Sequence, residues 1–221
     1  MITSTSVAQV NSVNGRYYEA QGKRYPSVTR IIAATRNEVE CDRLRNWAKK
    51  MDKIHVGGGA KLISENARLR GKEIHAFAEA FLLGMNVSVP DELLPYWQPL
   101  RPILGAIHDV VAIECPVYHD CGDGLGWAGT LDLVASFSGT ASVFDIKTSE
   151  RLKKFQWLHE ARLQICAYQW ALESQYGLKI ESGTVLCVSP NRVQMFEFNP
   201  VELRAEWLDR VKQYFEVKET A

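Results

Sequence analysis

The stretch from Gly129 to Thr148 constrains this chain most, because it puts charge where a strand pair would put its core. Two runs of alternating apolar, β-branched or aromatic residues meet at Ser138-Gly139, a dipeptide that marks turns, and so read as an antiparallel hairpin. Pairing outward from that turn sets Asp132 opposite Asp145, with Cβ atoms about 4.5–5.5 Å apart, and gives Leu131, Leu133, Phe144 and Ile146 the other face. Lys147 joins the carboxylate face. Facing like charges destabilise a hairpin unless a cation lies between them, so the pattern points to a divalent metal held by two carboxylates beside a lysine. The Asp-x-Lys triplet alone is weak, since chance supplies roughly 0.8 copies in a chain of this length. Its weight comes from the second Asp at the opposing position and the apolar reverse face. The alternative is a solvated strand face on which Lys147 neutralises one carboxylate.

The 221 residues, 46% hydrophobic and 24% charged, suit one sizeable α/β domain over 1–221. No apolar run reaches the roughly 18 residues of a membrane span, and the opening Met-Ile-Thr-Ser-Thr-Ser has neither the basic start nor the apolar stretch of a signal peptide, so a cytoplasmic chain is expected. Five cysteines, Cys41, Cys115, Cys121, Cys166 and Cys187, form no C-x-x-C pair and argue against a disulfide framework, a structural zinc or an iron–sulfur cluster. Net charge is zero but unevenly spread. From Lys23 to Lys72 there are 13 Lys or Arg against 5 Asp or Glu, a basic half consistent with phosphate binding beside an acidic metal site. A mixed, solvated helix surface would look similar.

In chain order, a polar tail and two glycine turns among aromatics, at Asn14-Gly15 and Gln21-Gly22, precede Ser27, a plausible N-cap for a helix through Val28, Ile31, Ile32 and Ala34. A helix over Cys41–Met51 would turn Leu44, Trp47 and Ala48 inward and Arg43, Arg45, Lys49 and Lys50 outward. Gly57-Gly58-Gly59 lacks the Gly-Lys-Ser/Thr ending of a phosphate loop and reads as a hinge before a long helix, Lys61–Leu83. His75 and Glu79 share one face of that helix, a position where a histidine is more often a satisfied core residue than a ligand. A helix over Trp97–Asp109, a strand over Val110–Tyr118 containing Glu114, the hairpin, a buried helix over Phe155–Tyr176, strands at 183–189 and 193–198 and a terminal helix over Val201–Tyr214 follow.

The ordered set Arg70-Gly71-x-x-x-His75, Gly129-Thr130-Leu131-Asp132, Asp145-Ile146-Lys147-Thr148 and Gln164-x-x-x-Tyr168 resembles the PD-(D/E)xK nuclease superfamily, in its RecB-like branch. The segment Arg24-Tyr25-Pro26-Ser27-Val28-Thr29-Arg30-Ile31-Ile32, followed by Trp47, looks more narrowly like the mitochondrial genome maintenance exonucleases and their bacterial and phage relatives. The resemblance implies a restriction-endonuclease-like mixed sheet flanked by helices, with a catalytic sheet core over about 110–200 and an N-terminal basic helical arch over about 24–85 under which single-stranded DNA enters.

It implies further that Asp132 and Asp145 hold Mg²⁺ or Mn²⁺, with His75 beside them and Glu114 as a further acidic contributor. Lys147 would orient the attacking water or stabilise phosphate charge, and Gln164 with Tyr168 would support the site. Substrate contacts are assigned to Arg24, Ser27, Thr29, Arg30, Arg43, Arg45, Lys49 and Arg70 in the basic half and to Thr148. Trp47 would either stack on bases or pack as core. The expected activity is a metal-dependent exonuclease, acting as a monomer on single-stranded DNA in replication, recombination or repair, in a bacterial or phage-infected cell and with no membrane partner. The four-cysteine iron–sulfur cluster of related CRISPR-adaptation and helicase-associated nucleases has no counterpart in these cysteine spacings. A flap or branch endonuclease, or a non-cleaving nucleic-acid-binding module on the same scaffold, are the rival readings.

Overall fold

The computed structural model describes residues 1–2, 7–12, 15–55 and 58–219. Val13 and Asn14, in the first expected glycine turn, and Gly57, of the glycine triplet, lie outside them. Three antiparallel strands open the chain, β1 (Val7–Ser12), β2 (Gly15–Ala20) and β3 (Lys23–Pro26). The first of them occupies part of the expected polar tail, since Val7 is buried in the pairing with β2 although the run around it is polar. Ser27 caps helix α1 (Val28–Ala34), its Oγ accepting from the Arg30 backbone N–H.

Helix α2 (Glu38–Ile54) starts at a reciprocal capping box between Asn37 and Glu40. Nothing on it is buried. Leu44 and Trp47, expected inward, are 47% and 40% exposed, and Ala48 is only half-buried. The helix is amphipathic as read, but its stripe is only partly covered, with Ala48 and Met51 half-buried and Leu44 and Trp47 left in solvent. Gly58, with a left-handed φ of 94°, ends the connection to α3 (Gly59–Leu82). Helix α4 runs Leu94–Gly105 rather than 97–109, because Pro95 serves as a helix-starting proline and His108 and Asp109 already belong to β4. Pro99 within α4 cannot donate to the Pro95 carbonyl, and the Asn191 N–H does so instead at 2.6 Å.

Strands β4 (His108–Gly122), β5 (Leu125–Phe137), β6 (Thr140–Thr148), β7 (Ser182–Ser189) and β8 (Arg192–Phe198) form a mixed sheet in that order. The only parallel pair among the described strands is β6–β7, connected by α5 (His159–Tyr176). Helix α5 buries residues around its circumference, including Leu163, Ile165, Ala167 and Leu172, as its composition requires. With α1 and α6 (Arg204–Glu219) it covers one face of the sheet. Helices α3 and α4 cover the other. The result is an α/β sheet with helices on both faces, and the C-terminal end of its central strand, β6, meets α3.

Candidate active site

The hairpin turns where expected. Ser138 and Gly139 both have positive φ, 50° and 82°, the geometry that matches strand twist in a two-residue connection. Its ladder runs from Phe137–Thr140 to Leu133–Phe144 and ends there, so the next row would pair Asp132 with Asp145. The β4–β5 ladder has a gap on the same row: Ile113 pairs with Leu133 and Cys115 with Leu131, while Glu114 and Asp132 between them do not pair. Glu114 has a left-handed φ of 42°, costly for a residue with a Cβ. On the same row the alternation of faces slips. Leu131 joins the layer under α5 together with Val134, whereas Leu133, Phe144 and Ile146 pack under α3 and α4. Leu131 therefore does not share the face of the other three, contrary to the simple alternation.

Glu114, Asp132 and Asp145 thus lie on one row of three adjacent strands, where backbone pairing is interrupted. The side chain of Asp132 fills part of the gap, its Oδ2 accepting from the Ile146 N–H at 2.8 Å. His75 on α3 meets the same place from the other side. Its Nε2 lies 2.7 Å from the Ile146 carbonyl and must donate there, because that oxygen can only accept. Nδ1 then faces Glu114 Oε1 at 3.4 Å and Asp132 Oδ2 at 3.6 Å. Burial alone would lower the His75 pKa, but Asp132 and the Glu114 hydrogen bond outweigh it and raise it to about 9.

Asp145 is buried. One oxygen, Oδ1, accepts from Lys147 Nζ at 2.5 Å, and the other, Oδ2, has no hydrogen-bond partner. Burial pushes its carboxyl up to about 6, against the pull of Lys147. Burial likewise raises Asp132, partly countered by His75 and Lys147. For Lys147, burial works against the charge but Asp145 and Asp132 prevail, so the ammonium is held above its ordinary range. Lys147 Nζ also donates to Gln164 Oε1 at 3.3 Å, and Gln164 Nε2 donates to the Tyr168 hydroxyl at 3.2 Å. That ring sits against Gly129, where any Cβ would come within 2.6 Å of Tyr168 Cε1.

These residues fit a divalent ion. His75, Glu114 and Asp132 each offer a ligand atom within 4.8 Å of the others, and Asp145 adds a buried carboxylate oxygen with nothing to satisfy it. Oxygen donors with a single imidazole suit magnesium or manganese rather than a thiophilic metal. Glu114 opens on a cleft of 880 Å³ whose lining also includes His75, Lys147 and Thr148, the cations Arg16, Arg68 and Lys72 and the acid Glu79.

A half-buried carboxylate, a buried one and a lysine on adjoining strands, the second carboxylate and the lysine as Asp145-x-Lys147, form the arrangement for which one nuclease family is named, and residues 72–219 match that family, the PD-(D/E)XK nuclease superfamily. The chain belongs to the PD-(D/E)XK nuclease superfamily. Three curated relatives are similar over most of its length. Mitochondrial genome maintenance exonuclease 1 of Homo sapiens is 30% identical over 87% of this chain and 59% of its own length. The Mus musculus and Xenopus tropicalis proteins of that name are 30% and 27% identical, over 89% and 94% of this chain and 60% and 62% of theirs. The chain therefore spans about three fifths of the relatives it matches.

The superfamily match starts at Lys72, and so takes in His75, Glu114, Asp132, Asp145, Lys147, Gln164 and Tyr168 but not the preceding basic half. The structure brings all seven together. It does not gather the expected substrate contacts in the same way, since only Thr148 among them lines the cleft. Ser27 is buried as a helix cap, and Thr29 receives a hydrogen bond from Arg16. Arg24 pairs with Glu19 and lies over the Tyr17 ring, Arg45 pairs with Asp42, and Arg70 pairs with Glu150 and stacks on Tyr96. Arg30 is half-buried, while Arg43 and Lys49 stand exposed. Of the cleft cations, Arg68 and Lys72 fall within the basic half expected to bind phosphate without being singled out there, and Arg16 lies outside it. The signal for Lys72 was its place one turn before His75 on the same helix.

Proposed function

We propose that the chain is a Mg²⁺- or Mn²⁺-dependent exonuclease that hydrolyses phosphodiester bonds of single-stranded DNA. The carrying observation is the interrupted row of Glu114, Asp132 and Asp145, closed by His75 and flanked by Lys147, beside a cleft that Glu114, His75 and Lys147 line together with Arg16, Arg68 and Lys72. Exonuclease action is what the names of the curated relatives state for those proteins. A cleft in the size range of small-ligand sites, about 300–1,000 Å³, suits a flexible strand better than a duplex.

Phosphodiester hydrolysis demands accelerations of up to about 10¹⁷-fold, more than side chains of this kind supply alone. A divalent ion held by His75, Glu114, Asp132 and Asp145 would supply Lewis-acid polarisation of the phosphate and a more acidic water. Lys147 is kept charged by Asp145 and aimed by Gln164, so its ammonium can meet the charge that grows on the phosphate. Tyr168 holds Gln164 in place. Arg16, Arg68 and Lys72 would seat the flanking phosphates along the cleft.

End-labelled linear single strands of both polarities, a circular single strand and a duplex, each with Mg²⁺, Mn²⁺ or chelator, test the proposal. Linear single strands should be shortened from an end in either metal, with the circle and the chelator reactions intact. Cleavage of the circle would make the enzyme an endonuclease, and undiminished cleavage in chelator would remove the metal.

A further inference from the structure

Residues 149–158, between β6 and α5, begin two positions beyond Lys147 and carry chemistry the hydrolytic site leaves unused. Leu152, Phe155 and Trp157 are exposed, Trp157 at 54%. The turn is nonetheless pinned. The Lys153 N–H donates to Gln194 Oε1 at 2.7 Å, Gln194 Nε2 donates to the Lys153 carbonyl at 3.0 Å, and the Trp157 N–H donates to the Lys154 carbonyl at 2.9 Å. Lys154 Nζ lies 5.5 Å from the centre of the Trp157 ring. Arg151, Lys153 and Lys154 make no ion pair among the described residues, and the two carboxylates nearest in sequence are already taken, Glu150 by Arg70 and Glu160 by Arg36.

A fixed, exposed indole beside unneutralised cations suits a nucleotide, whose base stacks while its phosphate meets the charge. A protein surface that buries an indole would also need carboxylates for three cations. Position favours the same partner. Thr148 lines the cleft, and the Glu150–Arg70 pair ties the start of the turn to α3, which forms the cleft wall. We infer that this turn is a second contact for the single strand, on which a base beyond the cleft stacks against Trp157 and the adjoining phosphates meet Lys154 and Arg151. The inference rests on the nuclease reading above and extends it to a subsite outside the metal-binding row.

The test uses the full chain carrying Asp145→Asn, which should not cleave, and fluorescence anisotropy with labelled oligothymidylates of about 4 and about 16 nucleotides, the range of single-strand site sizes. Adding Trp157→Ala should weaken the long oligomer about tenfold, the equivalent of about 1.4 kcal/mol and within the range of one base stack, with the short one unchanged. Trp157→Phe should restore most of that loss. The residue is on the surface, so melting curves should match across the variants. An unchanged affinity for the long oligomer overturns the platform and leaves the nuclease reading standing, as does an equal loss for both lengths. If the parent protein binds neither oligomer, the nuclease reading falls and takes the platform with it.

Discussion

Replacing Asp145 by Asn should make the metal-free protein more stable while removing its activity. Asp145 is 1% exposed, and its carboxyl titrates near 6 because burial outweighs the attraction of Lys147. In the unfolded chain the same group titrates near its ordinary value of 3.8. An acid whose pKa rises on folding costs the native state nothing below the unfolded value, progressively more between the two, and the full amount above the folded one. The span from 3.8 to about 6, at about 1.36 kcal/mol per pH unit, puts that cost on the order of 3 kcal/mol. Asn keeps the shape and the acceptor for Lys147 but never ionises. At about 2–4 °C per kcal/mol for a chain of this size, the variant should melt several degrees higher in chelator at about pH 8, with the gain fading towards pH 4. Excess Mg²⁺ or Mn²⁺ should narrow the gap, since binding to the native state stabilises the parent. Calorimetry at the two pH values measures this. A variant no more stable than the parent at about pH 8, or a gain that persists unchanged at pH 4, refutes the reasoning.

Lys147→Ala should lower single-turnover cleavage by about 10²-fold or more with little change in oligonucleotide affinity, because the ammonium acts on charge that develops in the transition state. An equal loss in affinity with turnover intact would make Lys147 a plain phosphate contact. Gly129→Ala places a methyl group 2.6 Å from Tyr168 Cε1 and 2.8 Å from its hydroxyl, which should destabilise by about 1–3 kcal/mol in urea unfolding and misplace the Gln164–Lys147 pair. Turnover should fall about 10- to 100-fold, and a normal rate in a destabilised protein would show that Tyr168 does not position Lys147.

The register of the hairpin was legible because Ser138-Gly139 is chemically suited to one turn type, and a turn of that type leaves only one pairing. That pairing was enough to put Asp132, Asp145 and Lys147 in one place. The burial of Leu131 in the other layer was not legible, since the alternation slips on the row where Glu114 takes a left-handed backbone, and no glycine announces it. Helix α2 failed for another reason. Periodicity reports a face that could be buried, and only the tertiary arrangement decides whether anything covers Leu44 and Trp47. The cleft cations Arg16 and Arg68 come from a strand and a helix far apart in sequence, and no local pattern joins them. Arg70 carried the right charge in the right stretch, but Glu150 and Tyr96 had already claimed it.

The unpaired row across β4, β5 and β6 sets a direction for any attempt to improve this protein. Its faults are a strained Glu114, a ladder that stops one residue early and an acid buried with an empty oxygen. Each is a position at which a screen for heat resistance would find easy gains, by a glycine that relaxes the kink or an amide that needs no counter-charge. Selection on stability alone would therefore converge on the row to which we assign metal binding and cleavage, and would return robust, silent proteins. Stabilisation has to be sought elsewhere, on the exposed face of α2 or the far ends of the sheet, with these three carboxylates held fixed.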